Sequence, residues 1–275
     1  MDSRLRGNDG VSMLPRAKKR FGQHFLTDRH YIARIVSAIA PQHDDVVVEI
    51  GPGPGAITEP LIEKLNHLHA VEVDRDLAIA LRARFPADKF TLHEADVLAF
   101  DFSILGPRFR AVGNLPYNIS TPFLFHLATF AESLIDGTFM LQKEVVDRMV
   151  AAPDTAAYGR LSVMLQYRFQ MKRLFDVPPG AFTPPPKVDS AIVRMVPLPA
   201  TRLCAVDEAR FAAFVSAGFG QRRKTLGNTL KPYLSADAIT ALGIDPKRRA
   251  ETLSVAEFVA LSDCAVLPPP FLKGV

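Results

Sequence analysis

The chain contains 275 residues, of which 48% are hydrophobic and 23% are charged, with a formal net charge of +4. This composition excludes a disordered chain and indicates a globular protein with one large domain, or with a large and a small one. No apolar stretch approaches the ~18 residues of a membrane-spanning helix. The two cysteines, Cys204 and Cys264, fit no metal-binding spacing, so we expect a reduced cytoplasmic protein without bound metal or membrane contact.

The N-terminal part of the chain is basic. Residues 1–17 lack periodicity and also lack the apolar segment of a signal peptide, so we expect them to form a disordered leader. Lys18, Lys19 and Arg20 then precede a segment rich in aromatic residues. This segment either packs as a strap on the core or closes over a ligand while its basic flank contacts RNA phosphates. Asp28, or the threonine before it, is placed to cap the first helix.

A glycine-rich turn directly follows a short apolar strand, Val46–Ile50. Glycines at positions 51, 53 and 55 let the backbone turn sharply and lie close to a ligand. Helical spacing from Ala56 to Leu65 completes the opening of a nucleotide-type α/β domain. The residues between the glycines are prolines, which lack the N–H groups that would bind a pyrophosphate. The turn favours a ligand without phosphates, such as S-adenosylmethionine, while a dinucleotide stays open at this point.

Acidic side chains follow the next two predicted strands, over residues 67–73 and 90–93. An acid about 20 residues beyond the first glycine of such a turn accepts hydrogen bonds from ribose hydroxyls, and Glu72 has this position. Asp74 is placed to cap the helix that follows. Asp96 stands at the carboxyl end of the later strand, where its carboxylate can accept from the amine of an adenine.

The stretch Asn114-Leu115-Pro116-Tyr117 follows a fourth predicted strand and suits chemistry on an adenine amine. That amine is a poor nucleophile because its lone pair is delocalised into the ring. Two acceptors, the Asn114 side-chain oxygen and the Leu115 carbonyl, would draw the nitrogen toward tetrahedral geometry and aim its lone pair at an electrophilic methyl. Pro116 fixes the backbone, and Tyr117 offers a face on which the base can stack. An ordinary turn with a buried tyrosine is the alternative.

The second half of the chain closes the sheet and then becomes helical. A fifth strand is expected over residues 138–142, and residues 172–177 and 191–196 alternate like the strands of a hairpin. Phe182, in the proline-rich loop between them, either stacks on the face of the target base opposite Tyr117 or packs in the core.

Beyond a short linker the pattern predicts helices over residues 208–217, 226–233, 236–242 and 255–262. Arg222, Arg223 and Lys224 lie at a helix entry and suit RNA phosphates.

The chain resembles the small-subunit ribosomal RNA adenine dimethyltransferases, the kasugamycin-sensitivity methyltransferases. The matching motifs are Phe21–Leu26, Glu49–Gly55, Glu72–Asp74, Glu94–Asp96, Asn114–Tyr117, Leu141–Val145, Tyr158–Ser162 and Phe182–Ser190. The resemblance implies a Rossmann-like, seven-stranded class I methyltransferase sheet with a small all-helical C-terminal domain. We expect a leader over residues 1–17, a methyltransferase domain over 18–198 and a helical RNA-recognition domain over 199–275.

The resemblance also implies S-adenosylmethionine as cofactor and dimethylation of two adjacent adenines near the 3′ end of small-subunit RNA during ribosome assembly. By motif position, six residues would line the cofactor: His24, Leu26, Gly51, Glu72, Asp96 and Asn114. Relatives often have Asn at the position of His24, which leaves its contact open. Asn114, Leu115, Tyr117 and Phe182 would surround the target base, and we expect the enzyme to act as a monomer.

Other functions share parts of this pattern. A resistance-type methyltransferase acting on large-subunit RNA has the same core, but the proline-rich loop around Phe182 and the C-terminal helices favour the small-subunit enzyme. A DNA adenine methyltransferase, a non-catalytic RNA-binding assembly factor and an NAD-linked oxidoreductase are the remaining alternatives. Tight binding of NAD without S-adenosylmethionine binding would favour the oxidoreductase.

Overall fold

A seven-stranded mixed sheet forms the centre of the structure, a computed structural model that describes residues 18, 23–221 and 223–265. The strands are β1 (Phe25–Leu26), β2 (Val47–Ile50), β3 (Leu68–Glu72), β4 (Phe90–Glu94), β5 (Phe109–Asn114), β6 (Leu134–Gln142), β7 (Phe169–Val177), β8 (Phe182–Thr183) and β9 (Ser190–Pro197). The central sheet has the strand order β4-β3-β2-β5-β6-β9-β7, and a separate two-stranded sheet pairs β1 with β8.

Helices cover both faces of the sheet and make up the C-terminal part of the described chain. They are α1 (Arg29–Ile39), α2 (Thr58–Ile62), α3 (Arg75–Arg84), α4 (Ser120–Ala128), α5 (Lys143–Met149), α6 (Arg160–Arg168), α7 (Glu208–Phe219), α8 (Leu226–Thr229), α9 (Ala236–Ala241) and α10 (Val255–Cys264). No helix in these residues is both long and apolar enough to cross a bilayer.

The central strands are parallel and buried on both faces. β2 pairs in parallel with β3 and β5, and its four residues are all buried. Successive strand residues face opposite sides of a sheet, so Val47 packs into one hydrophobic cluster and Val48 into the other. The predicted β-branched central strand is confirmed, and so is the expected seven-stranded α/β sheet.

The predicted hairpin is confirmed as an antiparallel pair of β7 and β9, with β9 inserted between β6 and β7. Asp28 caps α1 by accepting from the backbone N–H groups of His30 and Tyr31. Asp74 likewise caps α3 through the N–H of Asp76. Both sequence-predicted helix starts are therefore confirmed.

Several elements differ from the prediction; β6, for example, begins at Leu134, four residues before the expected start at 138. The helix expected over residues 226–233 was predicted too long, since α8 ends at Thr229 and turns follow. Pro232 explains the early end, because a proline inside a helix removes a hydrogen bond and clashes with the preceding turn. The pairing of β1 with β8 was not predicted, because strands of two residues show no periodicity.

A third hydrophobic cluster joins the C-terminal helices. Phe211 and Phe214 of α7 and Phe258 of α10 are its largest fully buried members. Val163 and Tyr167 of α6 belong to the same cluster, so α6 packs against residues on both sides of the predicted boundary at 198. The division into domains at that residue stays a prediction.

A group of buried charges lies at the edge of the sheet where β5 and β6 begin. Arg110, 5% exposed, donates through Nε to Asp136 at 2.8 Å and through Nη1 to Asp45 at 2.6 Å. Its remaining donors reach the carbonyl oxygens of Ile39 and Ala40. Arg194 also contacts Asp136. A buried guanidinium with every donor direction occupied fixes α1 against the sheet.

Candidate active site

A cavity of about 240 Å³ opens at the carboxyl ends of the parallel strands β2, β3 and β5. Open α/β sheets bind ligands at this edge, where loops leave the strands. Nine of the sequence-predicted residues line the cavity: His24, Leu26, Gly51, Glu72, Asp96, Asn114, Leu115, Tyr117 and Phe182. The structure therefore brings the predicted cofactor residues and the predicted target-base residues to one place.

The glycine turn forms the floor of the cavity. Gly51 has φ +62° and Gly53 has φ +56°, a left-handed conformation that glycine adopts at little cost. Gly51 donates its N–H to the Val71 carbonyl at 2.9 Å, which ties the turn to β3. A side chain at Gly113 of β5 would place its Cβ 2.5 Å from the Ile50 carbonyl oxygen. The absence of side chains at these positions lets β2 and β5 approach closely beneath the ligand site.

Glu72 is held by backbone donors on both sides. Its Oε1 accepts from the N–H of Asp74 at 2.8 Å and its Oε2 from the N–H of Gly53 at 3.3 Å. The side chain is buried, and this burial raises the pKa of the Glu72 carboxyl. Two backbone donors orient the carboxylate at the cavity wall while leaving lone pairs for a ligand hydroxyl.

Asp96 follows β4 and is exposed at the cavity rim. Its Oδ1 accepts from the N–H of Leu98 at 2.9 Å. That contact fixes the turn and leaves the second carboxylate oxygen without a partner among the described residues. The geometry agrees with an acceptor for a ligand amine, the role that the sequence predicts for Asp96.

Asn114 has its amide oriented by the N-terminal segment. Its Nδ2 donates to the His24 carbonyl at 3.1 Å. Because the amide nitrogen is committed to that acceptor, Oδ1 is directed away from it. Leu115 is anchored by its N–H, which donates to Met140 of β6 at 3.1 Å. Its own carbonyl oxygen has no partner in the described part of the chain, so the two expected acceptors are both available.

Pro116 and Tyr117 complete this wall. The Pro116 carbonyl accepts from Ser120 Oγ at 3.0 Å and from the Ile119 N–H at 3.2 Å, which rigidifies the turn. The Tyr117 hydroxyl lies 3.1 Å from Ser190 Oγ of β9. Burial raises the pKa of the Tyr117 phenol, so the ring stays neutral at physiological pH.

Phe182 has both of the environments that its sequence position suggested. It is only 4% exposed and belongs to a core cluster, yet it also lines the cavity. It pairs with Leu26 across the β1–β8 ladder, and Leu26 is equally buried. Phe182 can therefore contact a ligand in the cavity, and stacking on a base stays a prediction.

Sequence reasoning missed Glu49, the acidic residue of β2. Its side chain is 2% exposed, and Thr58 Oγ1 donates to its Oε2 at 2.6 Å. Desolvation raises the pKa of this carboxyl to about 7, with a further contribution from the charge of Glu72. The sequence feature that could have identified Glu49 is an acidic residue inside an otherwise apolar strand that leads into a glycine turn.

Lys18, the first of the predicted RNA-binding residues, is paired with carboxylates of the protein. The Lys18 ammonium lies 2.6 Å from a carboxylate oxygen of Asp74 and 2.6 Å from one of Asp76. Gln23 donates to Asp74 at 3.1 Å as well, so these contacts fasten the N-terminal segment beside the cavity. Two carboxylates already match the charge of Lys18, and its role in RNA binding stays a prediction.

The second basic group of the prediction is only partly described. Arg223 and Lys224 are exposed at the entry to α8, as a phosphate contact requires. The other predicted RNA contacts, Lys19, Arg20 and Arg222, lie outside the described residues. Within the described part of the chain, no group of three or more His, Cys, Asp or Glu side chains could hold a metal ion.

The sequence profile of one family, described as ribosomal RNA adenine dimethylase, matches residues 15–266. The chain belongs to this family. It is 60% identical over 255 residues to ribosomal RNA small subunit methyltransferase A of Aromatoleum aromaticum, covering 93% of this chain and 96% of that one. The protein of the same name in Thiobacillus denitrificans is 58% identical over 245 residues, covering 89% and 96%.

Solved structures show the same fold. A dimethyladenosine transferase from Plasmodium falciparum superposes with a TM-score of 0.75 at 22% identity, covering 86% of this chain and 96% of that one. The 23S rRNA methyltransferase ErmE superposes with a TM-score of 0.66 at 26% identity, covering 88% and 99%. Membership of the dimethylase family makes the chain an rRNA adenine dimethyltransferase, as its motifs predicted.

Proposed function

We propose that this protein transfers methyl groups from S-adenosylmethionine to the exocyclic amines of two adjacent adenines near the 3′ end of small-subunit ribosomal RNA. The observation that carries the proposal is the pair of available acceptors, Asn114 Oδ1 and the Leu115 carbonyl, on residues that line a cavity suited to this cofactor. The small-subunit target is supported by the names of the relatives from Aromatoleum aromaticum and Thiobacillus denitrificans.

The charge of the cavity supports S-adenosylmethionine rather than a dinucleotide. Glu49, Glu72 and Asp96 line it, and no lysine or arginine of the described residues does. Carboxylates repel a pyrophosphate but favour the positive sulfonium and ammonium groups of S-adenosylmethionine. Glu72 is placed for the ribose hydroxyls and Asp96 for the adenine amine, while the glycine turn leaves space against the backbone.

When bound, S-adenosylmethionine supplies an electrophilic methyl group on a sulfonium. Asn114 Oδ1 and the Leu115 carbonyl accept the two hydrogens of the target amine, which localises the nitrogen lone pair and directs it at that methyl. Tyr117 and Phe182, which both line the cavity, are assigned to the two faces of the flipped-out base. No general base is required, because a methylated, positively charged amine is acidic enough to release its proton to water.

RNA recognition is assigned to the two basic groups of the sequence, one over residues 18–20 and one over residues 222–224. Arg223 and Lys224 are exposed, and Lys19, Arg20 and Arg222 extend the same two basic groups. Such side chains bind phosphates without reading sequence, which suits a folded RNA recognised by shape. A monomer that acts in the cytoplasm on the assembling small subunit is part of the proposal.

The test is methyl transfer from labelled S-adenosylmethionine to small subunits isolated from a strain that lacks the modification. We expect incorporation to map to two adjacent adenines near the 3′ end of the RNA. Stripped large-subunit RNA is the comparison substrate, because the likeness to ErmE supports that target as the second candidate. Methylation of large-subunit RNA alone would refute the small-subunit assignment. Tight binding of NAD without binding of S-adenosylmethionine would refute the cofactor.

A further inference from the structure

The C-terminal end of α3 contacts the glycine turn from outside the cavity. Arg84, the last residue of α3, donates through Nη1 to the Pro54 carbonyl at 2.9 Å. Its Nη2 donates to Glu59 Oε2 of α2 at 2.7 Å. Pro54 lines the cavity, whereas Arg84 and Glu59 do not. One guanidinium therefore ties the turn to two helices without entering the ligand space.

The next residue, Phe85, packs against the same turn. A Cβ added at Gly55 would lie 3.2 Å from the Phe85 ring, so this ring fills the space beside that glycine. The Arg84 guanidinium lies 5.1 Å from the centroid of the same ring, and Phe90 packs on it at 5.3 Å. An aromatic face and two acceptors together hold the guanidinium in one geometry, which an isolated exposed ion pair does not achieve.

The glycine turn depends on contacts from its surroundings. Its glycines at 51, 53 and 55 all have positive φ, and glycine loses more backbone freedom on ordering than any other residue. The prolines between them have no N–H to donate. The first two glycine N–H groups bond to β3, but that of Gly55 bonds to Pro52 within the turn. Arg84 and Phe85 hold the end of the turn that these bonds to β3 do not reach.

We propose that Arg84 is a positioning residue for the cofactor, which keeps the glycine turn in the conformation that S-adenosylmethionine binds. The inference rests on the proposed cofactor. Arg84 acts through the Pro54 carbonyl and does not contact the ligand. When the turn loosens, a smaller fraction of the protein is competent to bind, and the apparent Kd rises as that fraction falls. The acceptors of the target amine follow β5, so kcat at saturating cofactor is independent of this contact.

Arg82 of the same helix provides a matched control. It donates through Nη1 to Glu94 Oε2 at 3.1 Å and through Nη2 to the Leu92 carbonyl at 3.3 Å. The Arg82 and Arg84 side chains are 48% and 46% exposed, and each binds one carboxylate and one backbone carbonyl. Arg82 ties α3 to β4, whereas Arg84 ties it to the glycine turn. Arg82→Ala therefore removes the same kinds of contact from another site.

We expect Arg84→Ala to raise the Kd for S-adenosylmethionine about fivefold in calorimetry, the effect of losing one ordinary hydrogen bond. Its kcat for methyl transfer at saturating cofactor should equal that of the wild type. Arg84→Lys keeps the charge but loses the planar fork that reaches both acceptors, so its Kd should be intermediate. Arg82→Ala should bind the cofactor like the wild type.

Hydrogen exchange of the cofactor-free protein tests the turn by itself. The Gly55 N–H bonds to the Pro52 carbonyl at 3.0 Å, so the exchange of this amide reports on opening of the turn. We expect this amide to exchange about fivefold faster in Arg84→Ala than in the wild type, because the same hydrogen bond is lost. Arg82→Ala should leave its exchange rate unchanged.

An unchanged Kd in Arg84→Ala would overturn the inference, and so would unchanged exchange of the Gly55 amide. An equal rise in Kd for Arg82→Ala would show a general effect of α3 and would also overturn it. If Arg84→Ala does not fold, as judged by its Tm, Arg84→Lys decides by the same measurements. Failure of both the wild type and Arg82→Ala to bind S-adenosylmethionine would refute the proposed function instead, and the exchange rates would still test whether Arg84 holds the turn.

Discussion

Replacement of Glu49 by Gln should change how the stability of the protein depends on pH. Burial raises the pKa of this carboxyl to about 7 from an ordinary value of 4.5. The folded state therefore holds the proton more tightly than the unfolded state does. Stability from this group is complete below about pH 4.5 and is lost as pH rises through about 7.

The magnitude follows from the two pKa values. One pKa unit corresponds to about 1.36 kcal/mol, so ionisation of Glu49 lowers the free energy of unfolding by ~3 kcal/mol between pH 4.5 and pH 8.5. Gln cannot ionise, and its carbonyl oxygen can still accept from Thr58 Oγ1. The stability difference between Glu49→Gln and wild type should therefore grow by ~3 kcal/mol across this range.

Urea unfolding at half-unit steps from pH 4.5 to pH 8.5, with the cofactor absent, measures this difference. Taking the difference between two proteins cancels the titration of shared groups that lie far from Glu49. Glu63→Gln is the control, because Glu63 is exposed on the surface just after α2. A difference for Glu49→Gln that stays flat with pH would show that the buried carboxyl is ionised throughout, and the reasoning from desolvation would be wrong.

Three further predictions concern the acceptor, the buried charges and the basic surface. Asn114→Ala should lower methyl transfer at least 100-fold with S-adenosylmethionine binding, measured by calorimetry, nearly unchanged; an unchanged rate of methyl transfer would contradict its role. Asp136→Ala should lower the free energy of unfolding by about 3–5 kcal/mol, since Arg110 is left buried without its bidentate partner, and a loss below about 1 kcal/mol in urea unfolding would refute this. Replacing Arg222, Arg223 and Lys224 by Ala should weaken RNA binding. It should also reduce the slope of log K against log salt concentration by about 0.7–0.9 per lost phosphate contact. An unchanged slope in a filter-binding series would mean that these side chains do not contact the RNA.

Local patterns made much of the fold predictable. The strand before the glycine turn, the caps at Asp28 and Asp74 and the acceptor stretch after β5 each depend on a few neighbouring residues. The residues around the cavity were predicted because parallel strands end at one edge, so the side chains that follow them converge.

Long-range contacts were the part that sequence could not supply. In the sequence, Lys18 cannot be distinguished from an unpaired surface cation, because only the fold places Asp74 and Asp76 beside it. The orientation of the Asn114 amide depends on the backbone carbonyl of His24. A contact with a backbone group cannot be recognised from residue types. The pKa of Glu49 is raised only because the fold buries its side chain and brings the charge of Glu72 near it.

The ladder between β1 and β8 bears on how the enzyme is made. Phe25 and Leu26 leave the translating ribosome early, but their partners Thr183 and Phe182 are synthesised much later. The nascent N-terminal segment must therefore wait, unpaired, while most of the sheet is translated. A chain released before residue 182 would carry the catalytic motif but lack the strand that pairs with Phe25 and Leu26, next to the His24 carbonyl that orients the Asn114 amide.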